Sequence, residues 1–209
     1  MKLFDSHFHI IDYDFPVKEN NGYMPPSFKV NDYLNHTQQL NVVGGAIVSG
    51  SFQGFDQDYL ISALNQLQGQ FVGITQLPAS TSDDEILRLH DEGVRGIRFN
   101  VKRGGSEDIA LIKTFAQRVY DLVGWHSEIY IESKQLKDYK EIISSLPKVS
   151  IDHLGLTVEG FEDLKALVKQ GVYVKATGFG RIEVEPIAVI KELLSLIHIS
   201  EPTRRTPIS

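Results

Sequence analysis

The sequence predicts an α/β protein: a (β/α)8 barrel, or TIM barrel, truncated after about seven βα units. Three observations carry this. Short β-type runs alternate with helix-period stretches and no hairpin separates them, the pattern of βαβ units and a parallel sheet. The first strand ends in Asp5-Ser6-His7-Phe8-His9, not in the glycine-rich loop expected there in an open doubly wound sheet. Polar residues recur at the strands' C-terminal ends, where barrels place catalytic groups: His7, His9, Ser49, Ser51, Gln76, Asn100, Glu132, Asp152, His153 and Thr177.

The strands read in order as Met1–Phe4, Gly44–Val48, Phe71–Thr75, Val94–Phe99, Ser127–Ile131, Val149–Ile151 and Val172–Ala176, on their β-branched and aromatic content. Helices are expected over Val30–Leu40, Asp58–Leu67, Ser82–Glu92, Glu107–Val123, Lys134–Leu146, Val158–Lys169 and Glu185–Leu196. Leu60, Ile61, Leu64 and Leu67 show the i, i+3, i+4, i+7 spacing of one helical face. Ser82-Asp83-Asp84-Glu85 reads as a helix cap. No eighth strand follows.

Composition narrows the function. The 209 residues carry 21 Lys+Arg against 27 Asp+Glu, a net charge of −6. That balance argues against a phosphate-backbone binder, so no nucleic-acid partner is expected. A hydrophobic fraction of 42% suits a globular core. The absence of cysteine excludes a disulfide scaffold, a thiolate metal site and a cysteine nucleophile. No apolar run approaches the ~18 residues of a membrane helix, and Asp5, His7 and His9 interrupt any leader-like stretch. A cytoplasmic protein with no membrane partner is expected.

The candidate chemistry starts at His7-Phe8-His9. Residues i and i+2 of an extended strand share a side, so both imidazoles converge while Phe8 turns into the wall. Such a pair can hold a metal or donate to a substrate oxygen. His153, at the end of the sixth strand, is expected to join them. Alternation in GVRGIRFN puts Arg98 and Asn100 on the inner face and Arg95, Ile97 and Phe99 on the other. A buried arginine needs a carboxylate: an anionic substrate's, or one of the chain's own, such as Glu132. Arg103 follows in a glycine-containing loop with the same two options. Tyr130 is a hydroxyl donor or a core tyrosine. Ser51 could orient substrate, or simply shape the turn after the second strand. His36, His90 and His126 read as structural or solvated.

Taken together and in this order, DSHFHIID, GVRGIRFN, IYIES, SIDHLG and VKATGFGR resemble the amidohydrolase-related family, in particular its branch of pyrone-dicarboxylate and sugar lactonases. The resemblance covers residues 1 to about 193. It implies a hydrolase that opens a lactone or similar small carboxylated compound by adding water to a polarised carbonyl. By position, His7, His9 and His153 are then the catalytic histidines, and Arg98, Arg103 and Tyr130 bind substrate. The lactonase loop is one residue longer around the second arginine. No cofactor is favoured; the alternative is a divalent Zn²⁺ or Mn²⁺ on His7 and His9. The family's general base is an Asp after strand eight, in a GTDxP-like motif that this sequence lacks, so the chain as written is expected to be weakly active or inactive. Two other readings stand beside this one: a metal-dependent amidase or decarboxylase on the same scaffold, and a non-catalytic truncated barrel. The expected partner is a small anionic substrate, with an oligomer left open.

Leu194–Arg204 reads LSLIHISEPTR, the translation of a transposase adapter used in sequencing libraries. Residues 1–193 are therefore expected to be an incomplete barrel and 194–209 an adapter-derived tail, in which His198, Arg204 and Arg205 have no role. Sequencing the source locus tests this: a native frame running past Leu193 supports it, and a genuine stop after Ser209 sinks it.

Overall fold

A computed structural model describes residues 2–20, 22–104, 107 and 109–196. Seven parallel strands lie side by side in sequence order: β1 (Leu3–Phe8), β2 (Val42–Val48), β3 (Gln70–Thr75), β4 (Val94–Asn100), β5 (His126–Tyr130), β6 (Val149–Ile151) and β7 (Tyr173–Val174). Helices α1 (Val30–Thr37), α2 (Asp58–Gln66), α3 (Asp83–Asp91), α4 (Ile109–Val123), α5 (Leu136–Ser144) and α6 (Phe161–Lys169) link consecutive strands, and α7 (Pro186–Leu196) follows β7. The result is a curled, open barrel. Among the described residues β1 and β7 do not pair. The Lys175 ammonium crosses the seam between them to the Ser6 carbonyl at 3.0 Å.

Alternation along the strands sorts the apolar residues into two layers. Ile97 and Phe99 of β4 join Ile47, Leu60, Ile86, Leu89 and Ile112 in the main core, between the sheet and the helices. A small separate cluster of Ala46, Val48 and Ile74 lines the inner face of the sheet. Gly96, Arg98 and Asn100 share the face of β4 opposite to Ile97 and Phe99, as expected.

Phe8 belongs to the outer layer. Its ring stacks on Tyr33 of α1 at 3.9 Å and meets Phe71 of β3 edge-on at 6.1 Å. Truncating a buried aromatic removes its transfer energy and leaves a cavity. Phe8→Ala is therefore expected to lower stability by about 3 kcal/mol, read as the shift in a urea unfolding midpoint.

The boundaries differ in instructive places. β1 runs on to Phe8 instead of stopping at Phe4, with an irregular register against β2 between Asp5 and Phe8. His7 is thus held inside the strand. β7 shrinks to two residues because only β6 supports it; the ladder bond Lys175 N–H to Ile151 O, at 2.8 Å, lies just beyond them. The Ser82 cap is present, its hydroxyl accepting from the Glu85 amide at 3.3 Å. Helix α7 crosses the expected Leu193 boundary with Leu193 buried; residues 197–209 of the expected tail lie outside the described residues. Among those described, no helix is long and apolar enough to cross a membrane.

Candidate active site

At the C-terminal end of β1 the two expected imidazoles meet, with ring centres 5.1 Å apart. His9 is anchored through Nδ1 to the Val48 carbonyl at 2.6 Å. A carbonyl only accepts, so Nδ1 carries the proton. Burial, reinforced by the nearby His7 and Arg98, holds the ring's pKa well below its ordinary value, so it is neutral. His9 therefore presents a lone pair at Nε2. It can hold a cation or accept from a water, and it does not donate to a substrate oxygen.

The third imidazole arrives through a strained turn. In extended backbone, neighbouring side chains point to opposite faces. Asp152 and His153 escape that rule because His153 and Leu154 take left-handed conformations, at φ 52° and 53°. Such conformations in non-glycine residues cost of order 1–3 kcal/mol each and cluster at functional sites. The reversal brings both side chains into the cluster. His153 lies 4.7 Å from His7, centre to centre, and edge-on to Tyr130 at 5.5 Å. Its Nδ1 pairs with the Thr177 hydroxyl at 2.8 Å. Burial lowers its pKa to about 3, outweighing the upward pull of Asp152.

Asp152 is fully buried, and Arg98 is its counter-charge. The guanidinium donates through Nε at 3.0 Å and Nη2 at 2.8 Å to Oδ2, and through Nη1 to the Ser49 carbonyl at 2.9 Å. Burial acts to raise the carboxyl, but Arg98, with His7 and Lys175, holds it far below the ordinary carboxylate range. The other oxygen, Oδ1, has no hydrogen-bond partner and stands 3.6 Å from His7 Nδ1. Neither ring nitrogen of His7 is hydrogen-bonded either. Three buried polar atoms of this pair are thus unsatisfied, and two of them, His7 Nδ1 and Asp152 Oδ1, lie side by side, an arrangement that invites a ligand.

The end of β2 is the fixture for this cluster. Three successive carbonyls each take a donor from a different neighbour: Val48 from His9, Ser49 from Arg98, and Gly50 from Gln76 Nε2 at 3.0 Å. The strand terminus thereby sets the relative positions of side chains from β1, β3 and β4.

The structure therefore gathers His7, His9, His153, Arg98 and Tyr130, the last lying 4.9 Å beneath the Arg98 guanidinium. The internal pair weighed for Arg98 exists, with Asp152 in place of Glu132. Glu132 instead takes Lys102 at 2.8 Å and Lys134 at 3.2 Å. Ser51 is buried in the turn directly after Gly50. Arg103 is not drawn into the cluster: its side chain is exposed, and its amide donates to Asn100 Oδ1 at 3.1 Å. Two residues without an assigned role in the sequence reading belong here. Asp152 is one. The other is Arg181, exposed in the loop after β7, whose positive charge adds, behind burial and nearer charges, to the lowering of His9 and His153. A cation in a glycine-flanked loop past a strand's C-terminal end was the available clue.

An imidazole cluster at the C-terminal ends of parallel βα strands occupies the face where barrel enzymes carry their active sites. The sequence profile of the amidohydrolase family matches residues 4–204, so the chain belongs to that family. Among curated proteins, the 2-pyrone-4,6-dicarboxylate hydrolase of Comamonas testosteroni is 30% identical over 159 residues, covering 72% of this chain and 51% of that protein. The 4-sulfomuconolactone hydrolase of Rhizobium radiobacter is 27% identical over 192 residues, covering 85% and 64%. The chain thus spans between half and two thirds of the length of these relatives. A solved structure of a probable 2-pyrone-4,6-dicarboxylic acid hydrolase from Acinetobacter baumannii superposes with a TM-score of 0.78 at 24% identity, covering 94% of this chain and 78% of that one. A second, from Pseudomonas putida, gives 0.73 at 24%, covering 92% and 76%. At that identity they establish the fold alone, a (β/α) barrel.

Proposed function

We propose that this fold hydrolyses a small lactone bearing anionic groups, by addition of water to a ring carbonyl held at the His7–His9–His153 cluster. The carrying observation is the convergence of three imidazoles from the end of β1 and the turn after β6. The curated relatives named for a pyrone dicarboxylate and a sulfonated muconolactone supply the substrate class. Within the cluster the roles divide. Nε2 of His153, when protonated, donates to the carbonyl oxygen and stabilises the negative charge that develops there. Nε2 of His9 accepts from the incoming water. Arg181 draws the substrate's anionic group to the mouth, while Arg98 is occupied in fixing Asp152.

The same donors fit a divalent metal. Ligand atoms of His7, Asp152 and His153 lie within 4.8 Å of one another, and two of these residues carry unsatisfied buried atoms; His9, paired with His7 in the sequence expectation, is not in this grouping. Imidazole and carboxylate suit Zn²⁺ and, less selectively, Mn²⁺. Such an ion would supply Lewis-acid polarisation of the carbonyl. The reading kept first is hydrolysis without a metal. Stoichiometric Zn²⁺ that tracks activity would overturn it.

A general base is the weak point. Asp152 is held so firmly ionised by Arg98 that it has little affinity for a proton. The chain as written therefore turns over slowly, and extending it with an eighth βα unit that carries an Asp at the strand end is expected to raise the lactonase rate by at least a hundredfold. Equal rates would sink the missing-base reading. Binding is tested separately, by calorimetric titration with 2-pyrone-4,6-dicarboxylate. Saturable binding that Arg181→Ala weakens about tenfold, the scale of one lost charge-assisted hydrogen bond, supports the substrate class; no binding by either form overturns it.

A further inference from the structure

We propose that Thr177 is a positioning residue whose hydroxyl decides whether His153 presents a proton or a lone pair to the site. The two anchored imidazoles of the cluster differ in one respect. His9 leans on a carbonyl, which only accepts, so its tautomer is fixed. His153 leans on a hydroxyl at 2.8 Å, which can accept from Nδ1–H or donate to a bare Nδ1. A rotation about the Thr177 C–O bond therefore lets the anchor accommodate either tautomer of His153, the ring proton itself being lost from one nitrogen and regained at the other by exchange with water or ligand at Nε2. No other buried histidine contact in the cluster allows this.

The surroundings permit little else. Gly178, at φ +70°, lies against the ring: a Cβ there would fall 2.6 Å from Nδ1 and 2.7 Å from Cγ. His7 closes one side and Tyr130 stands edge-on to the ring. The ring is almost wholly shielded from solvent, so bulk water is no substitute partner. The height of Thr177 is set by backbone: Lys175 N–H bonds Ile151 O at 2.8 Å, and Leu154 N–H bonds Lys175 O at 3.0 Å. These bonds zip the chain after β7 to the turn that carries His153.

The two tautomers serve different ligands. With Nδ1 accepting from Thr177, Nε2–H donates to a carbonyl oxygen; with Nδ1–H donating to Thr177, the Nε2 lone pair meets a cation. The inference rests on the assignment of His153 to the reacting carbonyl, and its test separates the two. Valine keeps the shape of threonine and loses the hydroxyl; serine keeps the hydroxyl and loses the methyl. In Thr177→Val a proton on Nδ1 would be buried without an acceptor, so the ring stays in the Nε2–H form. Loss of such an outer hydrogen bond typically weakens metal binding by roughly ten- to a hundredfold.

The test uses the full ¹⁵N-labelled chain. Long-range ¹H–¹⁵N spectra read the tautomer of His153, assigned by the peaks lost in His153→Gln, with and without Zn²⁺. Zn²⁺ affinity comes from chelator competition. The wild type is expected to pass from the Nε2–H to the Nδ1–H form on adding Zn²⁺, Thr177→Val to remain Nε2–H and bind Zn²⁺ ten- to a hundredfold more weakly, and Thr177→Ser to match the wild type. A purely packing role predicts the reverse order, with serine impaired and valine normal. That order, a wild-type ring whose tautomer ignores Zn²⁺, or a valine variant within twofold of the wild type would each overturn the proposal. In the same samples, a wild-type chain that switches tautomer but does not bind the dicarboxylate would sink the lactonase reading and leave the role of Thr177 standing.

Discussion

Arg98→Met is expected to destabilise the fold by about 3–5 kcal/mol, the usual consequence of removing one partner from a buried ion pair. Arg98 and Asp152 have side chains 3% and 0% exposed. Without the guanidinium the carboxylate is left deep in the barrel with no full counter-charge, and the Ser49 carbonyl loses its donor. The pair itself stabilises far less than its loss costs, because desolvating two charges offsets most of their attraction. The double variant Arg98→Met/Asp152→Leu is therefore expected to be clearly more stable than Arg98→Met alone. Urea unfolding of the two variants and the parent measures this. A double variant no more stable than the single one would show that Arg98 acts by tethering Ser49, not by neutralising Asp152.

That pair also marks where the sequence could be read and where it could not. Period-two alternation placed Arg98 inside and Phe8 outside, and it brought His7 and His9 together, because each of those inferences needed only an extended strand. The partner of Arg98 was beyond it. Alternation assigns Asp152 to the face opposite His153, and only the left-handed turn at His153 and Leu154 overrides that assignment. Neither residue is a glycine, so no propensity flags the turn. Glu132, the carboxylate that looked available, sits just past β5, where the ammonium groups of Lys102 and Lys134 claim it. Arg103 shows the converse: a charge in a loop at the mouth of the barrel, whose local anchor on Asn100 leaves the side chain in solvent. The order of the seven βα units was legible throughout, since it depends on hydrophobic period and connection length; the chemistry of the site depends on loops, where neither applies.

Acid is expected to unfold the chain well before its carboxylates protonate. Folded His153, with its pKa lowered to about 3 by burial, refuses a proton that the unfolded chain accepts near its ordinary 6.5. Between those values the unfolded state binds more protons, so stability rises with pH across the window and is lost as pH falls. From pH 7 to pH 5 this one group removes about 2 kcal/mol. His9, lowered by its burial and by His7 and Arg98, acts in the same direction. Asp152 joins only below the ordinary carboxylate range, where its depressed value makes folding costlier still as the unfolded chain protonates. Urea midpoints measured at pH 5, 6 and 7 should therefore fall steeply, and His153→Gln should flatten the slope by up to one proton's worth, about 1.4 kcal/mol per pH unit. A variant as steep as the parent would mean that His153 takes up protons in the folded chain as readily as in the unfolded one, which a ring shut between His7, Tyr130 and Gly178 could do only if the cluster opened to water.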